Sequence, residues 1–158
     1  MIKRNIIYLL ILFFLFSCTK EELPLIPEEP SIPGKPSIPN NEKTDMKITI
    51  NNLSFKVILE ENSTVEEFKK LMPLKIEMDE LNGNEKYYYL DTNLVTNSES
   101  VKRINSGDLM LYGSNCLVLF YEDFRTSYNY TRIGKVENNS NLASSLGKDS
   151  VFIQFILN

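Results

Sequence analysis

From position 46 onward, apolar residues recur at every second position in one short run after another. Met46, Ile48 and Ile50 alternate with polar neighbours, and so do Leu53, Phe55, Val57 and Leu59, then Leu74, Ile76 and Met78. A period of two puts these side chains on one face of a β-strand. Asn51-Asn52 stands between the first two runs, and Asn tolerates the positive φ that a two-residue hairpin needs. Many such strands in one chain must pair along both edges or leave sticky edges exposed. A sheet closed on itself meets that demand.

The remaining segments fit the same plan. Ser63 or Thr64 is placed to cap a short helix, with Glu66 or Glu67 as the capping-box partner. Val65, Phe68, Leu71 and Met72 give it an apolar face, and Pro73 stops it. Asn82-Gly83-Asn84 reads as a turn. Lys86 to Leu90 and Leu109 to Tyr112 read as strands, with a polar loop from Asp91 to Ser106 between them. Cys116 to Tyr121 is apolar throughout, which predicts burial on both faces. Tyr128 to Glu137 is a strand, Asn141 to Leu146 one helical turn, and Val151 to Leu157 a closing strand. The sum is a mainly β chain, a closed eight-stranded barrel with one or two short helices.

The residues before 46 are of another kind. Lys3 and Arg4 precede an unbroken apolar run from Ile6 to Phe16, too short for the roughly 20 residues of a membrane span. Leu15-Phe16-Ser17-Cys18 follows. This order resembles a bacterial lipoprotein signal peptide over 1–17, with Cys18 as the lipid-attachment residue. Two or three acyl chains anchor stably where one does not. Lys20-Glu21-Glu22 resembles a surface-export signal of Bacteroidetes lipoproteins. The expectation is a protein lipid-anchored in the cell envelope, at the outer membrane if the cell is Gram-negative, with exposure on its surface as the further reading.

Pro24, Pro27, Pro30, Pro33, Pro36 and Pro39 then fall at every third residue. Polyproline II has three residues per turn, so all six line one edge. At about 3.1 Å per residue, Pro24 to Pro39 would extend roughly 50 Å. Residues 18–45 are read as a lipid-anchored, proline-rich linker that lifts the domain off the membrane. A ligand for a proline-binding partner is the other reading.

Within 46–158, Gly107-Asp108-Leu109, Tyr112, Leu117 through Phe120-Tyr121, Asp123-Phe124, Ser127 and Gly134-Lys135-Val136 resemble the bacterial cyclophilin-like domain family. The first hairpin, Leu71-Met72-Pro73-Leu74 and Asn82-Gly83-Asn84-Glu85-Lys86 fit the same pattern. The resemblance implies an eight-stranded barrel of cyclophilin type. It does not imply an activity, because fold does not carry function. True cyclophilins set an arginine against the proline amide nitrogen, beside an apolar pocket containing a histidine.

Composition removes several chemistries. The chain has no His and no Trp, so His-dependent triads and His-ligated zinc are excluded. Two Cys make no disulfide framework or metal cluster. No cofactor motif is read. The net charge of −4 argues against nucleic acid as partner. Cys116 reads as an inert core thiol, and Tyr87-Tyr88-Tyr89 as a barrel rim. The adjacent carboxylates Asp79-Glu80 and Glu122-Asp123 point to opposite faces of a strand and read as solvated.

One cluster remains as a ligand-binding candidate: Tyr121, Asp123, Phe124, Arg125, Tyr128, Tyr130 and Arg132. Tyr128, Tyr130 and Arg132 share one face if the segment is a strand. Aromatic rings with an arginine can hold a sugar, carboxylate or peptide. Barrel packing with a surface Asp–Arg pair is the plainer reading. An arginine beside an apolar groove favours ligand binding or isomerase activity, and one paired to Asp123 favours packing. The sequence points to a lipoprotein whose barrel binds a small molecule, glycan or peptide, or mediates a protein contact. The alternative is a divergent peptidyl-prolyl cis-trans isomerase acting on envelope proteins. A scaffolding subunit would instead show a large exposed apolar patch.

Overall fold

The computed structural model describes residues 45–158; the expected signal peptide over 1–17, Cys18 and the prolines from Pro24 to Pro39 lie outside the described residues. In chain order the elements are β1 (Asp45–Ile50), β2 (Leu53–Leu59), α1 (Ser63–Lys69), β3 (Leu74–Leu81), β4 (Glu85–Tyr89), β5 (Glu99–Ser100) and β6 (Arg103–Ile104). They continue as β7 (Asp108–Tyr112), β8 (Cys116–Phe120), β9 (Phe124–Arg125), β10 (Asn129–Val136), α2 (Leu142–Leu146) and β11 (Val151–Leu157). The main sheet runs β2-β1-β11-β3-β4-β8-β7-β10, and β10 pairs back onto β2. All these pairings are antiparallel. The result is a closed eight-stranded barrel.

Local chemistry sets the first hairpin. Asn51 and Asn52 have φ of 47° and 68°, the two positive values that a type I′ turn requires. With Ile50 opposite Leu53 and Ile48 opposite Phe55, Met46, Ile48, Ile50, Phe55, Val57 and Leu59 fall on the barrel interior, while Leu53 at the turn is exposed.

The closing seam depends on Gly134. A Cβ built there would lie 2.5 Å from the Ile58 carbonyl oxygen and 3.2 Å from the Leu59 Cα. Only glycine lets β10 approach β2 this closely. Just before it, the register against β7 shifts between Arg132 and Gly134, a β-bulge that bends the strand into the closure. Asp108, almost fully buried, accepts a hydrogen bond from Asn105 N at 2.9 Å and pairs with Lys135 at 3.3 Å. Gly107-Asp108 and Gly134-Lys135-Val136 thus hold the barrel together.

The core has two parts. Inside the barrel, Met46, Ile48, Val57, Ile76, Leu109, Leu111, Leu117, Leu119, Ile153 and Phe155 form one cluster. Phe68 of α1 joins it edge-on to Phe155, with ring centroids 6.2 Å apart. Outside the wall, Ile104, Met110, Cys116, Val118, Phe120 and Tyr130 form a second cluster. The β7–β8 hairpin is therefore buried on both faces, as the unbroken apolar run of β8 predicts.

Three local expectations are corrected. The cap of α1 is Asn62, whose Oδ1 accepts from Val65 N at 2.9 Å. Thr64 and Glu67 are engaged elsewhere: the Thr64 hydroxyl donates to the Val95 carbonyl, and Glu67 accepts from Val95 N. Residues 91–106 are not all loop, since β5 pairs with β10 and β6 pairs with β9. Tyr128 lies before β10, in a turn where its N–H donates to Thr126 Oγ1 at 3.1 Å.

Candidate functional site

On the outer wall, a groove of about 510 Å³ runs between β4 and the segment 124–130. Alternation along β4 decides which residues reach it. Glu85, Tyr87 and Tyr89 point outward to the groove, while Lys86, Tyr88 and Leu90 point inward. Cys116 and Val118 of β8 face the same side, with Tyr112, Tyr128 and Tyr130 beyond them. Tyr112 meets Tyr128 edge-on at 5.9 Å and Tyr130 tilted at 5.6 Å. Tyr87 and Tyr89 form another edge-on pair at 5.9 Å. Among the described residues seven large apolar side chains are exposed, and four of them, Leu81, Tyr89, Tyr112 and Tyr128, line this groove. Exposed apolar surface is therefore concentrated here, where it can cover a ligand.

The far wall is held by Asp123. Its carboxylate accepts from Ser106 N at 2.8 Å and from Arg103 Nη2 at 3.0 Å. These two hydrogen bonds, the backbone one first, hold the Asp123 carboxyl below its usual range. They fasten the β6–β9 ribbon, and Phe124 packs on Phe120 with centroids 5.6 Å apart. Arg125 is carried next along that ribbon into the groove lining. Of the three arginines among the described residues, Arg103 pairs with Asp123 and Arg132 with Glu99. Arg125 has no ion-pair partner among the described residues.

The sequence candidates thus separate. Phe124, Arg125, Tyr128 and Tyr130 come together in the groove. Asp123 braces the wall without lining it. Arg132 shares the outer side of β10 with Tyr130 but reaches Glu99 Oε1 at 3.3 Å, outside the groove. Tyr121 belongs to the barrel interior, where its hydroxyl donates to Glu80 Oε2 at 2.8 Å. Burial, then that carboxylate, pushes the Tyr121 phenol well up.

Sequence reasoning did not find Asn84, Glu85, Tyr87, Tyr89, Tyr112 or Cys116 as groove residues. The available signal was the parity of Glu85, Tyr87 and Tyr89 against an inward Leu90. Burial, reinforced by the Glu80 charge, raises the Glu85 carboxyl above its ordinary value. Burial and Glu85 push the Tyr130 phenol up to about 12. Burial raises the Cys116 thiol as well, with Glu85 adding to it. A thiol kept protonated is a poor nucleophile. Among the described residues no His, Cys, Asp and Glu side chains group as a metal site, and no helix is long and apolar enough to cross a membrane.

A family model described as the cyclophilin-like family matches residues 48–155. The chain belongs to the cyclophilin-like family. The barrel is similar to the solution structure of a hypothetical protein from Archaeoglobus fulgidus, with a TM-score of 0.56 at 18% identity. That similarity covers 73% of this chain and 95% of the other, and it speaks to the fold. Among curated proteins, none matches the chain. Within the cyclophilin-like barrel, the glycine and aspartate motifs serve closure, and the groove is assembled from other residues.

Proposed function

We propose that this cyclophilin-like protein is a lipid-anchored binding protein of the cell envelope, whose outer-wall groove takes a small ligand or a short peptide or glycan segment. The anchoring half rests on sequence: the basic start, the apolar run and Leu15-Phe16-Ser17-Cys18, followed by the proline stalk. Acylated Cys18 would hold the chain at the membrane, and Lys20-Glu21-Glu22 favours its surface. The binding half rests on one observation: the groove gathers most of the exposed aromatic surface around an arginine that no carboxylate neutralises. Rings supply contact area and Arg125 supplies a paired donor for a ligand carboxylate or carbonyl.

The same arginine keeps a second reading open, a divergent peptidyl-prolyl cis-trans isomerase acting on envelope proteins. Arg125 stands beside an apolar groove on the barrel wall, where a guanidinium could polarise an amide nitrogen.

The test is calorimetric titration of the full chain with short peptides and oligosaccharides, together with Arg125→Ala. Ligand binding that falls at least tenfold in the variant supports the groove. Absence of binding by any of them removes it. A protease-coupled isomerase assay on proline peptides separates the second reading: catalysis lost in Arg125→Ala favours it. Mass spectrometry of membrane-extracted protein should show a lipidated N-terminal Cys18; an intact Met1 or a free Cys18 thiol refutes the anchor.

A further inference from the structure

The one carboxylate that lines the groove receives no donor from the described residues. Glu85 is partly buried, lines the groove, and has no hydrogen bond or ion pair from the described residues. Beside it, the Asn84 side-chain oxygen is buried without a hydrogen-bond partner. The one nearby cation on the same strand, Lys86, points inward and is used by Glu80 and the Asp149 carbonyl at 2.6 and 2.7 Å. A buried acceptor without a donor is costly, and a buried carboxylate without a counter-charge more so. The surrounding surface is five tyrosine rings, whose faces attract cations.

Resting on the groove reading above, we infer that the ligand presents an ammonium group, seated between the Glu85 carboxylate and the tyrosine rings. An ammonium supplies what the carboxylate lacks, a positive charge and several N–H donors. An anion would face Glu85 unscreened. A neutral hydroxyl would leave the carboxylate uncompensated. A hard metal ion needs more oxygen ligands than one carboxylate provides. Arg125, on the wall of residues 124–128, leaves the other side of the groove for an acceptor group. A ligand with an amine at one end and a carboxylate or carbonyl at the other fits both walls. The raised Glu85 carboxyl agrees with a carboxylate that is waiting for a cation.

Titration of the full chain in detergent tests this with four probes: Nα-acetyl-lysine methylamide, its Nε-acetylated form, glucosamine and N-acetylglucosamine. The expected result is binding of an amine, at least tenfold weaker or absent binding of its acetylated counterpart, and at least tenfold loss in Glu85→Gln. Lysine and glucosamine arms show whether the ammonium belongs to a peptide or an amino sugar. Acetylated probes binding as tightly as the amines, or Glu85→Gln binding unchanged, overturns the inference while leaving the groove in place. If neither the amines nor the peptides and oligosaccharides bind, the groove itself falls. Tyr128→Ala serves as a second variant, and loss of neutral-probe binding there confirms the groove without the ammonium.

Discussion

Glu85 and Lys86 are neighbours on one strand, yet they occupy opposite sides of the barrel wall in opposite states. Lys86 is fully buried and fully engaged, with Glu80, the Asp149 carbonyl and the Tyr121 ring around it. Glu80 in turn accepts from Tyr121 and from Gly83 N at 2.8 Å each. Glu85 faces outward to the groove and has no ion pair from the described residues. Inside the wall, the buried Lys86 charge is matched because a mismatch there would be strongly destabilising. Outside, an unmatched charge is tolerable because solvent reaches it, and it remains available to a ligand. The difference supports the outer face as the place for the proposed ligand.

The largest effect should come from breaking the inner match. Glu80→Ala leaves the Lys86 ammonium buried with one carbonyl, which should cost about 3–5 kcal/mol in equilibrium denaturation. Lys86→Met should cost less, because Glu80 keeps Tyr121 and Gly83 and is partly exposed. If both variants lose under about 1 kcal/mol, the interior pair is not what distinguishes the two faces.

The next test concerns the seam that keeps inside and outside apart. Gly134→Ala forces a methyl against the Ile58 carbonyl and should lower stability by roughly 1–3 kcal/mol. An unchanged melting temperature would mean that β10 and β2 can part without loss.

On the outer face the same kind of truncation should hardly register in stability. Tyr128 is 61% exposed, and Tyr128→Ala should stay within about 0.5 kcal/mol of the parent. Binding should weaken markedly in the same variant, as read by titration. A large stability loss would make the tyrosine part of the architecture.

Titration should resolve the smallest effect. Burial works against ionisation of Glu80, but the Lys86 and Tyr121 hydrogen bonds, the Gly83 N–H and the Lys86 charge outweigh it, and the carboxyl is lowered. Its contribution is therefore present above the unfolded value, about 4.3, and is lost as pH falls through the lower folded value. Glu85 is raised, so the folded state loses stability as pH climbs from about 4.3 through the higher folded value. Denaturation curves from roughly pH 3 to pH 7 should show the acid-side loss removed by Glu80→Gln and the later decline removed by Glu85→Gln. Identical pH profiles for the two variants would erase the contrast.

Much of this barrel is legible in the chain. The alternation of Met46 to Ile50 and Phe55 to Leu59 specifies which side chains face inward, though Leu53 at the turn stays exposed, and Asn51-Asn52 specifies the turn. The all-apolar β8 announces a strand covered on both faces. The candidate site is legible only in part. Phe124, Arg125, Tyr128 and Tyr130 stand close in sequence and meet in the groove, whereas Tyr121 turns inward and Arg132 goes to Glu99. Glu80 was read as solvated with Asp79, yet it continues the inward parity of Ile76 and Met78 and meets Lys86 and Tyr121 inside the barrel.

Period two assigns a side chain to a face but says nothing about which strand lies alongside. The sequence by itself therefore determined strands, turns and inward faces, along with the lipoprotein-like leader and the proline spacing that lie outside the described residues. Only the tertiary structure decided the closure of β10 onto β2, the bulge before Gly134 and the pairing of each arginine. It also paired β4 with β8, Tyr89 against Cys116, and set β4 beside the 124–130 wall. These are long-range choices, made by barrel closure and by the need to match every buried charge, and no local pattern encodes them.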